Sequence, residues 1–463
     1  MTKELLRQEA NRIKAYILLT LNSDGARGLR GRLVSGALWT FIGAAGLQFF
    51  RLLASVPMGR ILGPESFGGF GIIQTTIGMF GTFAGMGLGV TATRHVAEYR
   101  LSDPDRAGRI MGMSLVVAAG SGLLLAILLW CFAHKIAIAA LNAPSLEPQL
   151  RMAAAILLFS ALNGAQLGSL TGLEAFRSSA IASIFQGGIL IPCLALGALS
   201  QHLPGAVLGL VVATAASCLF SGIWLRKACR AAGLRIHYRP RWSELRLLGT
   251  YSFPVLLSSV LVVPVNWFCS VMLAQQVGGY RELGLFNAAN QWRYAILFVP
   301  TVLSQFSLPI LSNLHGQGSR AKYRKVLVTQ LGITTAAASL TAVPLALAAP
   351  IIMHLYGREF VAGAPVLCVL VFSTVLAAVN SVIGTAIFSA GLAYQGLLFN
   401  LLWAGALLIG ANYLVVLYHA EGLAWATLIA YALHTVWQLT FLMRHLRSSA
   451  RHWVPVLSAT AGD

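Results

Sequence analysis

The sequence predicts an all-α polytopic membrane protein with about twelve transmembrane helices, arranged as two pseudo-symmetric six-helix bundles. Three observations support this fold class. The 463 residues are 57% hydrophobic and only 10% charged, whereas soluble domains carry about 25% charged residues. Apolar stretches of about 20 residues, enough to span a bilayer as a helix, recur along the whole chain. Lys and Arg are concentrated in alternate connections between these stretches. Because lipid offers no hydrogen-bond partners to the backbone, such stretches are expected to be helical.

The apolar stretches fall into two sets of six, separated by a long basic connection. The first set lies near residues 34–56, 67–89, 110–133, 150–171, 179–199 and 204–224, and the second near 250–275, 284–308, 326–349, 363–388, 395–417 and 422–443. Turn-forming sequences such as Gly63-Pro64-Glu65 separate them. The predicted units are a basic N-terminal arm (1–33), an N-terminal six-helix bundle (34–225), a basic linker (226–246), a C-terminal six-helix bundle (247–443) and a tail (444–463).

The basic charge of the chain has a one-sided distribution. The net charge is +19, a value that would also fit a nucleic-acid-binding protein. However, twenty-six of the 33 Lys and Arg residues fall in the two termini and in the connections on the same side as the N-terminus, and four fall in the opposite connections. The positive-inside rule therefore predicts that both termini, the arm, the linker and the tail are cytoplasmic. No nucleic-acid partner is expected.

The two halves show a weak internal repeat. Residues 63–70 read Gly-Pro-Glu-Ser-Phe-Gly-Gly-Phe, and residues 279–286 read Gly-Tyr-Arg-Glu-Leu-Gly-Leu-Phe. Gly68 then corresponds to Gly284 and Phe70 to Phe286, at the same place in each half. An even number of spans per half makes the repeats parallel. Such duplication is typical of transporters whose substrate site lies between the halves.

The polar residues within the predicted spans are cationic or neutral, because no Asp or Glu lies deep in a span. Arg51 shares a helical face with Gln48 and Ser55. A charged side chain at the bilayer centre costs at least about 2.5–3.5 kcal/mol, so it should face a cavity or a partner. Guanidinium groups pair well with phosphate oxygens. The sequence thus predicts a site for an anionic, hydroxyl-rich substrate formed by Gln48, Arg51, Asn266, Asn287, Asn290, Gln291 and Arg293.

Structural roles are the alternative for these residues. Arg51 could extend to the membrane interface, and Asn and Ser side chains commonly bridge helices. The six cysteines have neither zinc-ligand nor redox spacing, so no metal site is predicted. No nucleophile–base pair or phosphate-binding loop is present either, and we therefore expect no catalytic residue and no cofactor.

Several segments resemble one family of membrane proteins. The run 58–68 (Met-Gly-Arg-Ile-Leu-Gly-Pro-Glu-Ser-Phe-Gly), residues 87–99, residues 279–293 and the sequence Leu-Pro-Ile-Leu-Ser at 308–312 resemble Wzx-type polysaccharide flippases, which transport lipid-linked oligosaccharides. These flippases belong to the MOP superfamily, with the MATE exporters and the lipid II flippase. The resemblance covers roughly residues 30–445, and the N-terminal arm lies outside it.

The resemblance implies a MATE-like, V-shaped transporter of the bacterial inner membrane that works by alternating access. The implied activity is translocation of an undecaprenyl-pyrophosphate-linked oligosaccharide, such as an O-antigen, capsule or exopolysaccharide repeat unit, from the cytoplasmic to the periplasmic leaflet. The implied partners are this lipid-linked glycan, the lipid bilayer, a polysaccharide polymerase and other assembly proteins. The predicted twelve spans differ from the fourteen of the lipid II flippase, and the membrane carboxylates of MATE exporters are missing. A multidrug exporter of the same superfamily, a membrane-embedded glycan-modifying enzyme and a non-transporting scaffold stay open as alternatives.

Overall fold

The structure, a computed structural model, describes residues 29–85, 88–238, 261–317 and 319–448, and within these ranges it is helical. Most of the predicted arm, part of the linker and most of the tail lie outside the described residues. The α-helices in chain order are α1 (Leu29–Gly85), α2 (Leu88–Tyr99), α3 (Pro104–Lys135), α4 (Glu147–Ala153), α5 (Ala155–Gly172), α6 (Phe176–Ala231), α7 (Val262–Ala274), α8 (Gly279–Gly316), α9 (Arg320–Leu347), α10 (Ala349–Tyr356), α11 (Ala364–Ser389) and α12 (Ala393–Ser448).

Three long helices each contain a break that separates two predicted spans without an intervening loop. The break in α1 is at Gly63, with φ 69° and ψ 170°, a conformation that glycine adopts without steric cost. The breaks in α6 and α12 are at His202 (φ 53°) and His419 (φ 49°). In α6 the chain folds back on itself, because a Cβ atom on Gly205 would lie 2.0 Å from the carbonyl oxygen of Gly197.

The described residues contain 7 helical stretches that are long and apolar enough to cross a membrane. Three of these stretches include a break and therefore hold two predicted spans each. Short connections between the predicted spans were expected at these positions, and in the structure the breaks take only one or two residues. Residues 250–260 of the seventh predicted span lie outside the described part, and α8, which holds the eighth, is not among these stretches, so the number of twelve stays a prediction.

The helices pack into two groups that correspond to the two halves of the chain. In the first half α1 packs along α6, and α5 lies between α3 and α6. In the second half α8, α9 and α12 pack against α11. The main contact between the halves is formed by α1 and α8. Large apolar side chains on the outer helix faces are exposed, as expected for a surface in lipid; examples are Leu196, Leu199, Leu219, Leu340, Leu347 and Leu417.

Three connections that were expected on the same side of the membrane lie together at one end of the helices. We call this end, formed by residues 99–104, 172–176 and 231–238, the basic end. Arg100 forms an ion pair of 2.5 Å with Glu174 and donates to the carbonyl of Leu173 at 3.0 Å. The backbone amide of His237 donates to the carbonyl of Gly108 at 3.2 Å. The segment that follows α6 therefore packs on the start of α3.

Candidate functional site

A cavity of about 460 Å³ lies in the first half, among α1, α5 and α6, with α8 of the second half on one side. Its volume falls in the range of about 300–1,000 Å³ that is usual for small-molecule sites. Apolar residues form part of its wall. The polar residues that line it are Gln48, Arg51, Ser55, Gln74, Ser160, Gln186, Thr214, Ser217, Gln291 and Tyr294.

Arg51 is the charged residue of this cavity. Its side chain is exposed to the cavity space, and among the described residues it has no hydrogen-bond or ion-pair partner. No Asp or Glu is among the described residues that line the cavity. A guanidinium group has five N–H donors and is charged at every physiological pH. The cavity therefore presents one uncompensated positive charge among neutral amide and hydroxyl groups, a combination that suits a phosphorylated, hydroxyl-rich ligand.

Three of the seven predicted site residues line this cavity, namely Gln48, Arg51 and Gln291. The shared face of Gln48, Arg51 and Ser55 on α1 points into it. On α8, Gln291 and Tyr294 face the cavity at the i and i+3 positions, so one stripe of this helix completes the wall.

The other four predicted residues are engaged elsewhere in this conformation. The side-chain amide of Asn266 donates to the carbonyl of Val262 in its own helix at 2.7 Å. Asn287 packs against Gly71, where its Nδ2 atom is buried without a hydrogen-bond partner. Arg293 is only 7% exposed. It donates through Nη2 to the hydroxyl of Tyr431 at 2.9 Å and through Nη1 to Oδ1 of Asn290 at 3.4 Å.

Sequence reasoning missed several cavity residues in both halves. Gln74, Gln186 and Tyr294 line the cavity, and Asn163 donates a hydrogen bond of 3.2 Å to Oε1 of Gln186. The Oδ1 atom of Asn163 is buried without a partner. The available signal was a single glutamine within an otherwise apolar stretch, a residue that is costly to bury unless it is hydrogen-bonded.

The two halves meet at the end of the molecule opposite the basic end. We call it the closed end, formed by Gly63 and residues 136–147, 274–279 and 357–363. Three aromatic rings pack against one another near this end, and one of them, Phe67, also lines the cavity. The ring centroid of Phe67 lies 6.1 Å from that of Tyr356 and 5.9 Å from that of Phe360. The hydroxyls of Ser55 and Tyr356 form a buried hydrogen bond of 2.8 Å between the halves. Because Ser55 and Phe67 also line the cavity, this layer lies at the boundary of the cavity toward the closed end.

The contacts at the closed end follow the internal repeat. A Cβ atom on Gly68 would lie 1.9 Å from the carbonyl oxygen of Tyr280, and one on Gly284 would lie 1.9 Å from that of Pro64. In the repeat, Gly68 corresponds to Gly284 and Pro64 to Tyr280. The two contacts are therefore reciprocal, as in an interface with two-fold symmetry. The weak sequence repeat thus marks the place where the two halves touch.

Side-chain hydrogen bonds extend the same symmetry. Arg60 donates through Nε to the carbonyl of Leu355 at 2.6 Å, and Gln275 donates through Nε2 to the carbonyl of Ala140 at 2.7 Å. Each bond joins the end of the first span of one half to the region after the third span of the other. Carbonyl groups in the connections of each half thus accept from donors in the opposite half.

We expect the Ser55–Tyr356 hydrogen bond to couple the two halves energetically. In a double-mutant cycle, Ser55→Ala and Tyr356→Phe should show a coupling of about 0.6–1.7 kcal/mol in the free energy of unfolding, the range found for hydrogen bonds between membrane helices. The control pair is Ser55→Ala with Tyr323→Phe, because the Tyr323 hydroxyl contacts Ala386 and Ser389 in the second half. Equal coupling in both cycles would contradict a direct bond.

Comparisons with known proteins agree with these features. The chain is 28% identical over 343 residues to the EPS I polysaccharide export inner membrane protein EpsE of Ralstonia nicotianae (strain ATCC BAA-1114 / GMI1000), over 73% of this chain and 77% of that protein. It is 25% identical over 292 residues to the lipid III flippase of Escherichia coli (strain K12), over 61% of this chain and 68% of that protein.

Two solved structures have the same fold. An inward-facing multidrug resistance MATE family transporter of the MOP superfamily superposes with a TM-score of 0.70 at 16% identity, over 87% of this chain and 96% of that chain. The lipid II flippase MurJ in an inward closed conformation superposes with a TM-score of 0.69 at 14% identity, over 89% of this chain and 87% of that chain. The predicted all-α, MATE-like fold is therefore confirmed. Residues 33–315, more than half of the sequence, match the family described as "Polysaccharide biosynthesis protein", and the chain belongs to that family.

Proposed function

We propose that this protein is a flippase that moves an undecaprenyl-pyrophosphate-linked oligosaccharide from the cytoplasmic to the periplasmic leaflet of the inner membrane by alternating access. The observation that carries the proposal is the exposed guanidinium of Arg51, which has no partner among the described residues, in a cavity that neutral amide and hydroxyl groups also line. The relatives named for polysaccharide export and for lipid III flipping support the same substrate class. The protein then acts as a transporter and not as an enzyme.

The chemistry of the cavity matches the difficult part of the substrate. A hydroxyl or amide moved into hydrocarbon without a hydrogen bond costs several kcal/mol, and a charged group costs far more. Arg51 would pair with pyrophosphate oxygens, and Gln48, Gln186 and Gln291 would hydrogen-bond sugar hydroxyl groups. The polyprenyl chain would stay in the bilayer, where it is already solvated. A positively charged cavity without a carboxylate favours this anionic lipid over a cationic drug.

The substrate roles of the remaining predicted residues stay predictions. Asn266, Asn287, Asn290 and Arg293 do not line the cavity in this conformation. A transporter must also adopt a second conformation, in which the region called the closed end opens. The contacts of α8 with α1 would change in that transition. Substrate contact by these four residues would then belong to that second conformation.

The charge distribution predicts how the protein is oriented in the membrane. We expect the basic end to be cytoplasmic and the closed end periplasmic, so that the structure represents a state closed toward the periplasm. In intact cells of a Cys131→Ser background, which removes an exposed thiol, Arg358→Cys at the closed end should react with an impermeant maleimide added outside. Arg230→Cys at the end of α6 should react only after permeabilisation. The reverse pattern would invert the proposed topology.

Translocation can be tested directly with the purified full-length chain in proteoliposomes. The vesicles would contain a labelled undecaprenyl-pyrophosphate oligosaccharide, and leaflet exposure would be scored with a membrane-impermeant glycosidase. We expect digestion beyond the initially exposed fraction only in vesicles that contain the protein. Absence of protein-dependent exposure with glycans of several compositions would contradict the flippase assignment. A modified glycan found in the same vesicles would instead indicate an enzyme.

A further inference from the structure

The interior of the second half contains a group of buried polar side chains that is separate from the cavity. We call it the C-terminal polar core, and it consists of Arg293 on α8, Asn380 on α11, and Trp403, Tyr431, His434 and Gln438 on α12. Apart from the half-buried Tyr431, these side chains are buried, and Gln438 is only 3% exposed. None of them is among the described residues that line the cavity around Arg51.

Tyr431 connects the members of this core. Its hydroxyl accepts from Arg293, whose Cζ atom also lies 5.2 Å from the Tyr431 ring centroid. Its carbonyl accepts from the side chain of Asn380 at 3.2 Å. The ring of Trp403 lies 5.5 Å from that of Tyr431 and 6.5 Å from that of His434. The core is therefore one contiguous unit in the middle of the bundle.

The charge of Arg293 is not compensated within this unit. Its hydrogen-bond partners are the neutral groups of Tyr431 and Asn290, and among the described residues no carboxylate pairs with it. Burying an ion without an opposite charge costs several kcal/mol even after the surroundings relax. Neutral hydrogen bonds satisfy some of the five N–H donors but leave the charge in a medium of low dielectric constant.

Three N–H donors of the core are also buried without acceptors. They are Nε of Arg293, Nε1 of Trp403 and Nδ1 of His434. The side-chain amide nitrogen of Gln438 lies 2.8 Å from Nε2 of His434, so a neutral imidazole in this arrangement accepts at Nε2 and carries its hydrogen on Nδ1. The Trp403 ring contacts the rings of both Tyr431 and His434, so the side chains that carry these donors belong to one packed cluster. Each unsatisfied donor adds about 1–3 kcal/mol to the cost.

We propose that the C-terminal polar core binds a small inorganic anion of the size of chloride, held by Arg293, Trp403 and His434. An anion there compensates the guanidinium charge and offers an acceptor to these buried N–H donors. A cation would be repelled by Arg293, and water alone would satisfy the donors without compensating the charge. The buried amide oxygens of Asn380 and Gln438 can accept from an ordered water beside the ion.

Thermal unfolding of the purified full-length protein in detergent tests this site independently of transport. Replacing sodium gluconate by sodium chloride at about 0.15 M, physiological ionic strength, should raise the unfolding temperature by about 2 °C or more, because a ligand that binds only the folded state stabilises it. The Arg293→Gln variant should lose this chloride effect. The Arg51→Gln variant is the matched control and should keep it, since Arg51 lies in the cavity, which is separate from the C-terminal polar core.

Two outcomes of this experiment would overturn the proposal. One is the absence of a chloride effect in the wild-type protein, and the other is an effect that persists in Arg293→Gln. Because Arg293→Gln could impair folding, crystals of the wild-type protein grown in sodium bromide give a second readout. An anomalous bromide peak within hydrogen-bond distance of Arg293 supports the site, and a map without that peak contradicts it. Failure of the flippase assignment would leave both readouts unchanged.

Discussion

The Arg51→Gln variant is expected to reduce translocation of the lipid-linked oligosaccharide about 30-fold or more. The substitution keeps a polar side chain of similar length but removes the charge from the cavity. Loss of one partner from a desolvated, hydrogen-bonded charge pair costs about 2–5 kcal/mol, and each 1.4 kcal/mol is a factor of ten. Arg51→Lys should retain part of the activity, because lysine keeps the charge but lacks the planar fork that matches two phosphate oxygens.

The measurement is the initial rate of glycan exposure in proteoliposomes at equal protein density. Arg358→Gln is the matched control, because it removes the same charge from an exposed position at the closed end, and it should translocate at the wild-type rate. Unfolding temperatures of all variants separate a transport defect from misfolding. A wild-type rate in Arg51→Gln, with the fold intact, would remove Arg51 from the substrate site and assign it a structural role.

The comparison of Arg51 with Arg293 shows how far the sequence could predict the site. Both are arginines within apolar spans, and the sequence places both in one substrate cavity. The structure exposes Arg51 in the cavity but buries Arg293 against Tyr431. Periodicity assigns residues to a helix face, but the neighbours of that face depend on how each helix is rotated in the bundle. Those rotations are determined by packing between distant segments, and a single sequence does not specify them.

The fold could be predicted from the sequence to a greater extent than the site. Each span is indicated by its own residues, and the orientation by the sum of charges over many connections. Apolar length identifies spans, and the distribution of Lys and Arg groups the connections by side. Span boundaries were predicted near His202 and His419, but the positive φ of these residues was not, because non-glycine residues with positive φ are uncommon. The Gly68–Gly284 correspondence was visible in the sequence, but the direct contact of the two segments required the structure.

The second large effect is expected from Gly68→Ala, which should prevent closure at the closed end. The added Cβ atom would lie 1.9 Å from the backbone carbonyl oxygen of Tyr280, so α1 and α8 must separate. Steric overpacking costs about 1–3 kcal/mol, which shifts a two-state equilibrium about 5- to 150-fold. Because alternating access requires both states, translocation should fall by a similar factor. Gly284→Ala should have the same effect, since its contact with Pro64 is the reciprocal one.

Cysteine labelling can detect the trapped conformation directly. Thr214→Cys places a thiol on the cavity wall, in a background with Cys131→Ser. In Gly68→Ala and Gly284→Ala this thiol should react faster with an impermeant reagent added on the side of the closed end. Gly120→Ala is the matched control, because a Cβ atom there meets nothing within 4 Å, and it should leave labelling and transport unchanged. Wild-type labelling and transport in both glycine variants would mean that the reciprocal contact does not control access, and the gate would then have to be sought in the aromatic layer of Phe67, Tyr356 and Phe360.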